Sequence, residues 1–287
     1  MRLLAPVARL APLLFVFLWS TGFLGAKYGL PHAAPLAFLF VRYGLVIALM
    51  AGIAVVLRAP WPRDSRQWLH IGVSGLLVHG LYLGGVFMAI KAGLPAGITA
   101  LVVGMQPLLT ATLAGRLLGE SVLPRQWLGL ALGFAGVALV VSHKLGSGFD
   151  MAALVPACVA LVGITVGTLY QKRFCQHFDW RTGSVAQFLP TAIVTGIVVL
   201  ATDDFRIDWT GEFAFALGWL VLVLSVGAIS LLNWLIRHGS AVNVASLFYL
   251  TPPTTALLAW LLFGETLTGL ALAGMALAVW GVYLSRR

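Results

Sequence analysis

Ten long apolar windows follow one another along the chain, at about 9–28, 34–57, 67–91, 95–118, 125–142, 150–172, 181–202, 212–236, 241–263 and 268–284, separated by short polar linkers. A helix needs roughly 20 apolar residues to cross the hydrocarbon core of a bilayer, so each window predicts one spanning helix. The longest polar stretch, Thr202 to Glu212, is also the most acidic, and no linker has room for a soluble domain. The first window follows Arg2 and Arg9 and runs on through Trp19 without a small-residue cleavage site. It therefore predicts a retained helix and not a removed signal peptide.

The pattern also repeats. At an offset of 145 residues Pro107 falls on Pro252, Gly119-Glu120 on Gly264-Glu265, Gly129 on Gly274 and Gly136 on Gly281. The same shift places Gly22 on Gly167, Lys27 on Lys172 and Arg42 on Gln187. A one-residue slip near Gly93 and Gly239 aligns the third segments and sets His79 opposite Ser225. Five helices per copy is an odd number, so the second copy, 146–287, sits upside down relative to the first, 1–145. The expected fold is an all-α polytopic membrane protein with ten transmembrane helices in two inverted five-helix repeats around a central cavity. Alternating-access carriers are built this way.

Composition supports the membrane class: 60% of residues are hydrophobic, 9% are charged and the mean hydropathy is +0.98. Soluble domains carry roughly 25% charged residues. The net charge of +9 does not form a nucleic-acid footprint, because the basic residues punctuate the loops instead of clustering. With the N-terminus inside, the cytoplasmic face receives Arg2, Arg9, Arg58, Arg63, Arg66, Arg116, Arg125, Lys172, Arg173, Arg181, Arg237, Arg286 and Arg287. The other face receives Lys27, Lys91, Lys144 and Arg206. This bias predicts both termini on the cytoplasmic side of the inner (plasma) membrane and requires an even number of spans. Cys158, expected to be buried in the sixth helix, and Cys175, in a short loop, form neither a disulfide framework nor a metal-ligand spacing. No cofactor is implied.

Small residues mark close helix contacts. Gly129, Gly133 and Gly136 in the fifth helix match Gly274 and Gly281 in the tenth, and Gly25-x3-Gly29 and Gly163-x3-Gly167 are expected to act alike in the first and sixth. All nine acidic residues fall in loops or at helix ends, which disfavours a strongly ion-coupled pump. Glu120 and Glu265 are expected to fix the turn into the following helix. Trp61, Trp68, Trp127, Trp180 and Trp209 are placed as interfacial anchors, leaving Trp19 as the one tryptophan far from either interface.

The candidate chemistry is polar and deep. Arg42 is the single charge within a helix, and a charge there costs several kcal/mol unless it faces the bundle interior with a partner. It is either a clamp for a substrate carboxylate or an internal strut. Gln187 matches it in the second copy. His79 stands mid-helix with Tyr82 one turn on, for substrate contact, a proton relay or packing. Thr99, Val103, Gln106 and Thr110 form one stripe of the fourth helix, and Val244, Phe248, Thr251 and Thr255, with Asn243, Ser246 and Tyr249 nearby, form its match in the ninth. These stripes either line a pathway or bridge helices. Pro107 and Pro252-Pro253 interrupt those two helices at matching places, through static bends or around a central site. Trp19 either stacks on a substrate or fills space.

Taken in order, these residues resemble the drug/metabolite transporter superfamily, in particular its ten-helix EamA-type exporters. The match rests on Trp19-Ser20-Thr21-Gly22 with Lys27, on Pro35 and Arg42, on Ala100, Pro107, Gly119-Glu120, Gly129 and Gly136, and on Pro252, Gly264-Glu265, Gly274 and Gly281. The resemblance implies a basket with helices three, four, eight and nine in its wall. It also implies export of amino acids or related metabolites, since YddG-type exporters of aromatic amino acids are among the relatives. The candidate substrate site, drawn from the deep polar and aromatic residues above, is Trp19, Arg42, His79, Tyr82, Thr99, Gln106, Gln187, Tyr249 and Thr251. The expected partners are a small-molecule substrate and the lipid bilayer, with no nucleic acid; the oligomeric state is open and a monomer is compatible. The four-helix multidrug relatives depend on a first-helix glutamate that this chain lacks, which disfavours proton-driven drug antiport. Two alternatives stand: a carrier of another solute class (drug, sugar or lipid-like), and a membrane-embedded enzyme. The enzyme reading finds no HExxH, paired acidic motif or Ser/His/Asp set in support.

Overall fold

The computed structural model describes residues 4–94, 96–142, 150–202, 204–263 and 267–285. Within them the chain forms ten helical rods and no strand. These are α1 (Leu4–Gly29), α2 (Pro35–Val56), α3 (Ser65–Lys91), α4 (Ala96–Val103 with Gln106–Leu118), α5 (Pro124–Val141), α6 (Leu154–Phe174), α7 (Trp180–Thr202), α8 (Gly211–His238), α9 (Ala241–Ser246 through Phe263) and α10 (Gly269–Ser285). Seven described stretches reach membrane-crossing length and hydropathy, and Leu10–Gly22 and Gly269–Ser285 are shorter apolar helices. Large apolar side chains face outward, among them Ile193, Ile197 and Leu200 on α7. Such a surface is stable in lipid and not in water. The Gly264-Glu265 pair, Lys144, Arg286 and Arg287 lie outside the described residues, as does the side chain of Lys27.

The two five-rod repeats are interleaved. Rods α5 and α10 pack on each other, as do α2 and α7, while α1 packs on α8 and α9, and α6 on α3 and α4. Glycine permits the closest of these approaches: a Cβ on Gly136 would stand 2.6 Å from the Gly274 carbonyl oxygen. Gly163 serves the α6–α3 contact, where an added Cβ would lie 2.8 Å from the Tyr82 amide nitrogen. Gly25 and Gly29 differ from that expectation, since they receive the side chains of Leu220 and Phe38 and not a helix backbone.

Two interruptions recur at matching places. Rod α4 breaks at Gly104-Met105 and restarts with Pro107 in its first turn, where a missing amide hydrogen goes unneeded. Rod α9 passes through a 3-10 turn, Leu247–Leu250, before Thr251 and the two prolines open its second half. The other interruption carries no proline: α3 and α8 widen into π-helix over Leu76–Leu83 and Leu220–Ala228. π-Segments are rare and frequently lie at functional sites.

The rods define an arginine-rich end, where α1, α3, α5, α7 and α9 begin, and an opposite end. At the arginine-rich end Gly119 adopts the left-handed conformation that closes α4. Glu120 does not fix the turn into α5 as expected: both carboxylate oxygens accept from the Ala241 amide at 3.0 Å, capping α9 of the other repeat. At the opposite end a short extended pairing joins the repeats, with the Ala34 amide donating to Arg206 O at 2.9 Å and the Asp208 amide to His32 O at 2.7 Å.

Candidate functional site

Adjacent residues of α2 reach the two π-segments. The Tyr43 hydroxyl donates to the His79 carbonyl in α3 at 2.7 Å. The Arg42 guanidinium donates through Nε and Nη2 to the Ser225 hydroxyl of α8, at 3.1 and 3.0 Å. Ser225 in turn donates to the Leu220 carbonyl five residues earlier, at 3.1 Å, within the π-segment. Arg42 is buried, 3% exposed, and no described carboxylate faces it.

Beside Arg42 lies a cavity of about 50 Å³ lined by Trp19, Gly22, Tyr82, Val86, Leu220 and Leu224, among others. Its volume has room for no more than a few water molecules, so a larger occupant requires the rods to part. Trp19 stacks on Tyr82, with ring centroids 6.2 Å apart and planes 12° from parallel, and meets Phe248 edge-on at 5.3 Å. The result is a guanidinium beside an aromatic pair, closed by an aliphatic wall. Such a site suits a carboxylate joined to an apolar body. The cavity extends past Ala26 of α1 and Ile90 of α3, both late in their rods, and so toward the opposite end.

Toward the arginine-rich end the interior is closed by four buried polar side chains. Gln171 Nε2 donates to Asn233 Oδ1 at 2.7 Å, Asn233 Nδ2 to Gln187 Oε1 at 3.3 Å, and Gln187 Nε2 to Ser74 Oγ at 3.1 Å. This chain spans α6, α8, α7 and α3 and leaves few buried amide groups unsatisfied.

Of the nine candidates from sequence, Trp19, Arg42 and Tyr82 meet at the cavity. His79 turns to α7 and lies flat on Phe188, with centroids 4.0 Å apart. Gln187 belongs to the polar closure. Thr99, Gln106, Tyr249 and Thr251 are buried around the two broken rods and do not line the cavity. Gln106 reaches Thr168 Oγ1 at 3.5 Å, and Tyr249 packs over Gly133. Phe248, placed from sequence on the ninth-helix stripe, meets Trp19, whereas Ser225, seen only as the mate of His79, and the Gln171–Asn233 pair were missed from sequence.

Other expectations need correction. Trp19 is not alone within the bundle, because Trp219 sends its indole N–H to Thr21 Oγ1 at 3.0 Å. Cys158 is exposed on the lipid-facing side of α6, whereas Cys175 is buried after its end. Burial pushes the Cys175 thiol up to about 11.

The EamA-like transporter family matches this chain twice, over residues 8–142 and 151–287. An uncharacterized transporter of Bacillus subtilis, YvbV, is 30% identical over 97% of this chain and 92% of its own. A protein of Salmonella typhimurium named a probable amino-acid metabolite efflux pump is 28% identical over 95% of this chain and 92% of its own. A crystal structure 23% identical in sequence superposes with a TM-score of 0.78, covering 97% of this chain and 96% of that one. With its doubled helical repeat and the match of both halves, the chain belongs to the EamA-like transporter family of the drug/metabolite transporter superfamily and is a membrane transporter.

Proposed function

We propose that the protein exports amino acids, or related small metabolites bearing a carboxylate, across the cell membrane by alternating access. The observation that carries this reading is Arg42: a buried guanidinium at the cavity wall, held by a serine hydroxyl and with no carboxylate of its own. An incoming carboxylate completes its pairing, and Trp19 and Tyr82 take the apolar part. The Salmonella relative's name supports the same substrate class. In the cycle we propose, the arginine-rich end faces the cytoplasm and the Ser74–Gln171–Gln187–Asn233 closure is its barrier. Opening that closure while the opposite end shuts moves the cavity from one side to the other. Since the acidic residues among the described ones lie in loops and at helix ends, the proposed cycle runs on the substrate's own gradient, as a facilitator or exchanger.

Purified protein reconstituted into vesicles loaded with an amino-acid panel tests the proposal. Release of at least one amino acid faster than from protein-free vesicles is expected, and no faster release across the panel overturns it. The aliphatic wall of Val86, Leu220 and Leu224 favours a second reading, a carrier of bulky hydrophobic solutes. Release of uncharged amphiphiles with retention of every amino acid selects that one.

A further inference from the structure

The arginine-rich end carries a second concave feature, separate from the cavity. Here the linker before α3 and the linker before α7 meet, with Thr182 Oγ1 donating to Pro60 O and Gln67 Nε2 to His177 O, both at 2.7 Å. Arg237 Nη1 of α8 joins them, donating to Phe178 O at 2.8 Å. Two adjoining grooves open between these segments, of about 690 and 540 Å³, and they share Arg63, Gln67 and residues 176–178.

Four arginines border the grooves, Arg63, Arg66, Arg173 and Arg237, against two acids, Asp64 and Asp179, so the lining is net positive. Both acids are already engaged. Asp64 Oδ1 accepts from the Gln67 amide at 2.6 Å as the cap of α3. Arg181 donates to both oxygens of Asp179, at 2.9 and 2.7 Å, and holds its carboxyl below the usual range. The side chains of Arg63 and Arg66 have no carboxylate partner among the described residues. A bias of charge across a membrane requires only that arginines be numerous on one side. It does not require two unpaired ones on the wall of a groove. The rim lies at headgroup depth, since Trp61 stacks on Trp68 at 6.0 Å with planes 9° apart and Trp180 and Trp234 are exposed around it.

We propose that these grooves bind the phosphate of an anionic phospholipid, with Arg63 and Arg66 as its donors and the Trp61–Trp68 pair against the upper part of the lipid. Arginine forks match phosphate oxygens, and a basic pocket between spanning helices is the form such lipid sites take. The grooves lie between the α2–α3 linker of the first repeat and the α6–α7 linker of the second, so a lipid seated in them touches both.

Native mass spectrometry of the detergent-purified protein tests this without reference to transport. With phosphatidylglycerol and phosphatidylcholine of identical acyl chains in competition, the wild-type protein is expected to retain phosphatidylglycerol in preference. Equal retention overturns the proposal on the wild-type protein alone. Arg63→Gln with Arg66→Gln is expected to weaken that retention about 25-fold, taking about fivefold for each arginine. Arg206→Gln, at the opposite end and already paired with Asp204, is expected to leave it unchanged. Retention unaffected by the double substitution overturns the assignment of these residues. Inorganic phosphate added alone is expected not to raise the unfolding temperature, and a rise equal to that given by the lipid overturns the lipid reading in favour of a free-anion site.

Discussion

Replacing Ser225 by alanine removes the hydroxyl that receives Arg42 Nε and Nη2 at 3.1 and 3.0 Å, and with it the donor to the Leu220 carbonyl. A hydrogen bond to a charged group contributes about 1.5–3 kcal/mol in proteins, but interhelical bonds in membranes average nearer 0.6. With two donors converging on one buried oxygen, about 1.5 kcal/mol of Arg42 positioning is at stake. If that positioning is used on the substrate, efflux falls about tenfold, since each 1.36 kcal/mol of barrier is one decade in rate. Ser225→Thr keeps the hydroxyl and is expected to stay within about threefold of the wild-type rate. The assay is the initial rate of efflux from reconstituted vesicles per folded protein, with thermal unfolding in detergent measured in parallel. Arg42→Ala is expected to lower transport more than folded yield. If Ser225→Ala transports at the wild-type rate, or if Arg42→Ala loses rate and yield equally, Arg42 is a brace between α2 and α8 and the substrate-clamp argument fails.

Gly136→Val pushes a side chain into α10, where even a Cβ would stand 2.6 Å from the Gly274 carbonyl oxygen, and is expected to destabilise by at least about 1–3 kcal/mol. Gly52→Ala, with nothing within 4 Å, serves as its control, and equal unfolding temperatures for the two refute the tight α5–α10 contact. Asn233→Leu leaves Gln171 and Gln187 part-satisfied in the interior, at about 1–3 kcal/mol for an orphaned buried group. An unchanged unfolding temperature contradicts a closed polar chain. For Cys175 in a Cys158→Ser background, the thiol is protonated below about 11, so labelling by a water-soluble maleimide is expected to be slow near neutrality and to rise with pH. Labelling at neutral pH as fast as that of a free thiol refutes its burial.

The rods, their breaks and their repeat were legible in sequence because each leaves a mark of its own kind. An apolar window announces a span, Pro107 and Pro252 announce the interruptions of α4 and α9, and matched glycines announce the α5–α10 contact. Arg42, Trp19 and Tyr82 were each legible as inward-facing candidates, Arg42 because a deep charge must face inward, but their meeting at one cavity was not, since Tyr82 was read beside His79 and Trp19 by itself. The π-segments left no mark. Leu76–Leu83 and Leu220–Ala228 contain no proline, and a π-turn arises from how neighbouring rods press and pair, not from local composition. Ser225 gains its role only there. Cys158 departs from its expected burial for a related reason: an apolar face in a bilayer can be the outer face, so hydrophobic neighbours did not identify the interior.

The central claim is that the Arg42 cavity recognises a carboxylate attached to an apolar body. Efflux of an apolar amino acid from reconstituted vesicles, measured beside its decarboxylated amine of the same side chain, tests it most directly. The amino acid is expected to leave faster than from protein-free vesicles, and the amine is not. Equal protein-dependent rates for the two would contradict it.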